Sequence, residues 1–200
     1  MYIGKQPAVT ALTASDITDG IISTDKLGSN AVTSAKMFSG FTNGITMFDQ
    51  WRTTASPAGD QSPISSNLEQ VDTDGFATEG TAMTVSSGIF TFPTTGKYLL
   101  QLQVNVYEAG SAGHYFESAI QTTTDNSAYS VASRVYGSLS DREGSASQGS
   151  TFNAFIFDVT STTNCKVSFH IDMIDEAGNQ AAGDTGLTTT GMFFTRIGDT

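Results

Sequence analysis

Few side chains in this sequence could carry chemistry: twenty carboxylates, two histidines and one cysteine among 200 residues. His114 follows a glycine, and His170 lies on the polar side of an alternating stretch. Neither has a second histidine, a cysteine or a carboxylate at the spacing of a zinc site. Nucleophile-elbow, zinc-protease and phosphate-loop motifs are also missing. We therefore expect structural or solvated histidines, no cofactor and no enzyme.

Four carboxylates lie close together near the C-terminus, namely Asp172, Asp175, Glu176 and Asp184. Calcium prefers such oxygen clusters, but the spacing of an EF-hand is absent. We expect a solvated acidic loop and no metal site. A glycosidase would need two carboxylates flanking the sugar, and no carboxylate pair here lies among aromatic residues.

The strand that should organise the fold runs through GKYLLQLQVNVY. Residues 98–106 place Tyr98, Leu100, Leu102, Val104 and Val106 on one face. The other face holds Leu99, Gln101, Gln103, Asn105 and Tyr107. A strict period of two over ten residues predicts a central strand with one apolar and one mixed face. The turn at residues 93–96, with proline first and glycine last, joins it to an earlier strand.

Several other stretches have strand patterns bounded by Gly, Ser, Asn or Asp, and no segment has a useful helical period. The predicted strands include 41–54, 68–71, 115–123, 129–136, 151–158, 166–174 and 191–197. Eight to ten short strands at this spacing predict an all-β fold, a sandwich or jelly roll. Cys165 begins an apolar alternation that continues through the stretch 166–174, which predicts a buried free thiol.

Two predicted strands are apolar on both faces, and a monomer has nothing obvious to cover the second face. In residues 151–158, Phe152, Ala154 and Ile156 oppose Asn153, Phe155 and Phe157. In residues 191–197, Met192 and Phe194 oppose Phe193 and Ile197. We therefore expect an oligomer. Its interface or the core should hold Tyr107, Phe155, Phe157, Phe193 and Ile197, and the pattern leaves open which of the two each residue joins.

The first forty residues contain a ten-residue repeat with two aliphatic positions in each copy. These positions are Leu12, Ile17, Ile22, Leu27, Val32 and Met37. One thin chain cannot bury them, so several copies should wrap around a shared axis as a stalk. The alternative is a linker rich in Ser, Thr and Ala. Two domains are therefore predicted, residues 1–40 and residues 41–200.

Composition excludes some partners. The net charge of −11 disfavours nucleic acid, because binding phosphates needs clustered Lys or Arg. No stretch approaches the roughly eighteen apolar residues of a membrane helix, so membrane insertion is not expected.

The hairpin from Phe90 to Tyr107, with Phe-x-x-Pro before the turn, resembles the C1q globular head and the wider tumour-necrosis-factor-like jelly rolls. The final stretch, residues 190–199, is similar to the last strand of that family. The resemblance covers residues 41–200. It implies a jelly-roll β-sandwich whose inner sheet packs around a threefold axis, and hence a homotrimer.

The N-terminal segment resembles tailed-phage fibre and appendage proteins, in which strings such as ITDGIIST and AVTSAKM recur. The opening MYIGKQP is similar to a short virion-attachment start, which implies docking through Tyr2, Ile3, Gly4 and Pro7. The resemblance thus implies a virion protein, a trimeric short fibre or spike that binds a host-surface glycan or protein. Its docking surface would be another virion protein of the capsid or tail. The alternative is a capsid decoration protein without a receptor. Receptor contacts are expected in the loops 108–114, 137–150 and 175–188.

Overall fold

Eleven strands make up the described part of the protein. The structure, a computed structural model, describes residues 44–108, 115–140, 147–173 and 178–200, together with residues 20, 22, 23, 25, 27–29, 31 and 32. The strands are β1 (Met47–Thr53), β2 (Leu68–Gln70), β3 (Thr84–Ser86), β4 (Ile89–Thr91), β5 (Gly96–Tyr107), β6 (Tyr115–Thr123), β7 (Ser130–Ser138), β8 (Gln148–Val159), β9 (Lys166–Asp172), β10 (Gln180–Ala181) and β11 (Gly191–Gly198).

The strands form two antiparallel sheets. In the first, sheet A, the order is β8-β5-β11-β1-β2, and β10 pairs with β5 beyond the end of β11. In the second, sheet B, the order is β3-β4-β9-β6-β7. The all-β sandwich that the strand patterns predict is confirmed. The short strands β3 and β10 were not predicted, because neither carries an alternating pattern long enough to recognise.

The core lies between the sheets, and the predicted alternation of β5 supplies much of it. All five apolar residues of one face, from Tyr98 to Val106, are fully buried. Phe90 of sheet B packs against two aromatic residues of sheet A. Its ring centroid lies 5.1 Å from that of Phe194 and 5.5 Å from that of Trp51. Cys165 is buried as a free thiol, as its position in the alternation predicts.

The chain divides into two units, residues 1–42 and residues 43–200. In the first unit, the described stalk positions are Ile22, Leu27 and Val32, and all three side chains are exposed. The other three stalk positions, Leu12, Ile17 and Met37, lie outside the described residues, as do Tyr2, Ile3, Gly4 and Pro7. None of the described residues belongs to a helix long and apolar enough to cross a membrane.

Candidate functional site

The outer face of sheet A, which points away from the core, carries exposed apolar side chains. The register places Ile156 beside Leu99, and Phe152 beside Gln103, on β8 and β5. Phe152 is 54% exposed and Ile156 is 57% exposed. Because the core-facing side of the same strands is buried, these residues form a second apolar surface, which the described part of the chain leaves exposed.

Strand β8, which has apolar residues on both faces, has a definite orientation in the sandwich. Phe157 is buried in the core and Phe155 packs against it. The opposite side chains, Phe152, Ala154 and Ile156, are exposed on the outer face. The sequence predicted that Phe155 and Phe157 belong to the interface or the core, and both lie on the core-facing side. The exposed apolar residues of the outer face are Phe152 and Ile156.

The other candidate interface residues lie at different places. Phe193 is half-buried on the outer face of sheet A, where it pairs with Gln101 of β5. Tyr107 is half-buried at the far end of β5, and its hydroxyl donates to the side-chain oxygen of Gln180. Ile197 is exposed at an irregularity near the end of β11.

A hollow of about 430 Å³ opens on the outer face between β5 and β8. Gln103, Asn105, Ser150 and Phe152 contribute to its lining. The side-chain oxygen of Asn105 is buried and has no hydrogen-bond partner among the residues that the structure describes. An unpaired buried acceptor costs about 1–3 kcal/mol, so a donor brought by another molecule would be stabilising here.

A second cleft, of about 330 Å³, lies beside Arg52 at the other side of sheet A. The guanidinium of Arg52 is buried and donates to Glu69 at 3.0 Å, to Asp72 at 2.9 Å and to Thr73 at 2.9 Å. These contacts fix the segment after β2 against β1. We assign this network a structural role, because its charged groups already pair with one another.

His170 is half-buried on the outer face of sheet B between two hydroxyl groups. Its Nδ1 lies 2.9 Å from Ser62 Oγ, and its Nε2 lies 2.9 Å from Ser168 Oγ. Burial lowers the pKa of His170 below its ordinary value. The ring therefore helps to hold the segment before β2 against β9, in agreement with the predicted structural role. His114 lies outside the described residues.

The two described members of the acidic group near the C-terminus, Asp172 and Asp184, have separate surroundings. Asp184 Oδ1 accepts the backbone N–H groups of Gly186 and Leu187, which makes it a turn residue. Asp172 is exposed at the end of β9 in sheet B. Asp175 and Glu176 lie outside the described residues. In the described ranges, no three His, Cys, Asp or Glu side chains are grouped as a metal site requires.

The first two predicted receptor loops are described only at their ends, and the third is described from residue 178 onward. In the first, Glu108 is buried and its Oε2 accepts from Ser147 Oγ at 2.7 Å. Ser147 belongs to the second loop, so the two loops are joined where they leave the sandwich. In the third, β10 and the turn at Asp184 give residues 180–187 a fixed course along sheet A.

Comparison with known proteins identifies the fold. No protein-family model matches the chain, and no curated protein matches its sequence. Among solved structures, the crystal structure of murine APRIL at pH 8.5 superposes with a TM-score of 0.50 and 12% identity, covering 76% of this chain and 98% of that chain. Murine APRIL at pH 5.0 gives the same score and coverage with 11% identity. The chain has a tumour-necrosis-factor-like jelly-roll fold. At this identity the likeness shows the fold alone.

Proposed function

We propose that this chain is a virion structural protein, a homotrimeric short fibre or spike that displays a jelly-roll head for attachment to a host surface. The observation that carries the proposal is the exposed apolar surface on the outer face of sheet A. Phe152 and Ile156 would be covered by a second copy of the chain. The resemblance of residues 1–40 to phage appendage proteins supplies the virion part of the proposal.

The fold supports three as the proposed number of copies. Tumour-necrosis-factor-like proteins are homotrimers. In a ring, one surface of each copy packs against a different surface of the next, and three copies close it. The hollow beside Asn105 suits such packing, because a side chain from the neighbouring copy could fill it and donate to the unpaired oxygen.

The stalk residues support the same assembly. Ile22, Leu27 and Val32 are exposed in the single chain although each is aliphatic. Three copies around one axis would bury them. At about 25 cal/mol for each Å² of apolar surface removed from water, that burial would offset part of the cost of ordering the segment.

The test of assembly is the mass of the purified protein in solution, measured by light scattering. We expect three times the chain mass of 21.0 kDa. The variant Ile156→Asp should dissociate the trimer, because a carboxylate would be buried without a partner at the interface. Its matched control is Val131→Asp, which places the same charge at a 43% exposed position on the opposite sheet.

Two results would overturn the assembly part of the proposal. One is a wild-type chain that is monomeric at micromolar concentration. The other is an Ile156→Asp variant that stays as trimeric as Val131→Asp, because the outer face of sheet A would then not be the interface.

The virion part is tested with a chain that lacks residues 1–40. We expect this shorter protein to fold and to form trimers, because residues 43–200 contain the sandwich core and the exposed apolar face. It should fail to join the particle, as judged by immunogold labelling. Incorporation at the copy number of the full chain would remove the docking role from the N-terminal segment.

A further inference from the structure

A pair of exposed tyrosines lies on the outer face of sheet B. Tyr136 is 56% exposed and Tyr115 is 39% exposed. Their ring centroids are 5.9 Å apart with an interplanar angle of 66°. Together with Glu117 and Arg134 on the same face, they form what we call the tyrosine patch. The sequence did not single out these residues, since a lone tyrosine on a strand carries no functional signal.

The close packing beneath the tyrosine patch keeps the rings of Tyr115 and Tyr136 pointing to solvent. Phe116 and Gly137 lie opposite each other on β6 and β7, and both are buried. A Cβ atom at Gly137 would lie only 2.4 Å from the Phe116 ring, so this pair is in close contact. Because side chains alternate along a strand, Tyr115 and Tyr136 must point to solvent. The patch therefore rests on a rigid, close-packed support.

An ion pair fixes the polar half of the patch. Arg134 Nε lies 2.7 Å from Glu117 Oε1, and the pair forms across the two strands. The register places Glu117 between Tyr136 on one side and Asp172 on the other. The guanidinium of Arg134 and the carboxylate of Glu117 thus offer hydrogen-bond donors and acceptors in the plane next to the rings.

We propose that the tyrosine patch binds a neutral glycan through one or two pyranose rings. The inference rests on the proposed attachment function and gives it a ligand class and a site. Tyrosine rings present apolar faces to the C–H groups of a sugar and keep a hydroxyl for hydrogen bonding. The Arg134–Glu117 pair contacts the sugar hydroxyls. Sheet B faces away from the proposed trimer surface on sheet A, so the patch stays open in the assembly.

The size of the patch distinguishes a sugar from a protein partner. Three neighbouring strands span about 10 Å, and two residues along a strand span about 7 Å, which is the scale of one or two sugar rings. A specific protein interface buries about 800 Å² on each partner, around an apolar centre. The patch, by contrast, has two aromatic rings with charged groups directly beside them, so it lacks the large apolar centre of a protein interface.

The charges distinguish a neutral glycan from an anionic one. Arg134 already pairs with Glu117, so its positive charge is offset within the patch. The chain as a whole carries a net charge of −11. Among the described residues of the patch no cation is left unpaired, so an anionic sugar would meet net repulsion there.

The experiment is a titration of the full chain with neutral pentasaccharides of glucose, galactose and mannose, and with sialyllactose as the anionic probe. Binding is measured by calorimetry and by NMR shift changes. We expect at least one neutral oligosaccharide to bind. Tyr136→Ala should weaken its affinity by about tenfold, the upper range for loss of one aromatic contact. Val131→Ala, an exposed apolar truncation on the same strand, should leave it unchanged.

Tyr136→Leu provides a second variant, because leucine keeps an apolar side chain on the strand but removes the flat ring. It should weaken binding as Tyr136→Ala does while retaining the wild-type melting temperature. The proposal is overturned if no neutral oligosaccharide binds, if sialyllactose binds more tightly, or if both Tyr136 variants bind like the wild type. The trimer mass and the virion labelling are measured independently of glycan binding. Failure of the glycan site is therefore distinguishable from failure of the proposed function.

Discussion

The carboxylate of Asp49 should be one of the most sensitive positions in the jelly roll. It is fully buried on β1 and accepts four hydrogen bonds. Its Oδ1 accepts from the backbone N–H of Gln50 at 2.9 Å and from Gln70 Nε2 at 2.8 Å. Its Oδ2 accepts from Trp51 Nε1 at 2.9 Å and from the backbone N–H of Met83 at 2.8 Å. One side chain thus ties β1 to β2 and to the segment before β3.

The change Asp49→Ala removes both acceptor oxygens and all four hydrogen bonds, but the donors differ in what they lose. Gln70 Nε2 also donates to Thr78, so it keeps one partner. The indole N–H of Trp51 and the N–H of Met83 have no second partner in the described part of the chain. At about 1–3 kcal/mol for each stranded buried donor, the free energy of unfolding should fall by about 2–6 kcal/mol.

Calorimetry measures this loss as a lower melting temperature. For a unit of this size, each kcal/mol shifts the transition by about 2–4 °C, so a fall of about 4–24 °C is expected. Asp158→Ala is the matched control, because Asp158 is an exposed carboxylate on β8 and its loss should cost less than about 0.5 kcal/mol. Equal melting temperatures for the two variants would refute the view that the Asp49 network stabilises the fold.

Two further predictions concern pH and the stalk. Burial lowers the pKa of His170 below that of the unfolded chain; the unfolded state therefore binds more protons just below pH 6.5. The free energy of unfolding should therefore fall as the pH drops through that window, and it should fall less steeply for His170→Gln. Chemical denaturation at several pH values measures both slopes, and identical slopes would contradict the prediction. Changing Ile22 and Leu27 together to Ser should reduce hydrogen-exchange protection around residues 20–32 and leave the melting of residues 43–200 unmoved. A shift of that transition would show that the two units do not fold independently.

The sheets were predictable where one strand face is wholly apolar. β5 shows this best, because its alternation from Tyr98 to Val106 matches the buried face without exception. The bounds of β6 also agree with the pattern. Such strands are predictable because burial on one side and solvent or polar contact on the other leave a period of two in the sequence.

The small strands were not predictable for a physical reason. β10 is two residues long and forms because Gln180 and Ala181 pair with Tyr107 and Val106 of β5. Its position is fixed by a partner more than seventy residues away in the chain. The local sequence gives no signal for such a pairing, so the sequence predicted a loop for residues 175–188.

The orientation of β8 shows why the candidate interface could not be assigned from sequence. Both of its faces carry aromatic or aliphatic residues, and the core-facing side includes Asn153, which a sequence pattern would place in solvent. Asn153 is nevertheless buried, because its Nδ2 donates to the backbone oxygen of Ser118 at 2.8 Å and its Oδ1 accepts from Ser118 Oγ at 3.2 Å. Ser118 Oγ also lies 2.7 Å from Thr151 Oγ1. A polar network between the two sheets therefore satisfies Asn153 inside the sandwich, and that pairing leaves Phe152 and Ile156 on the outer face.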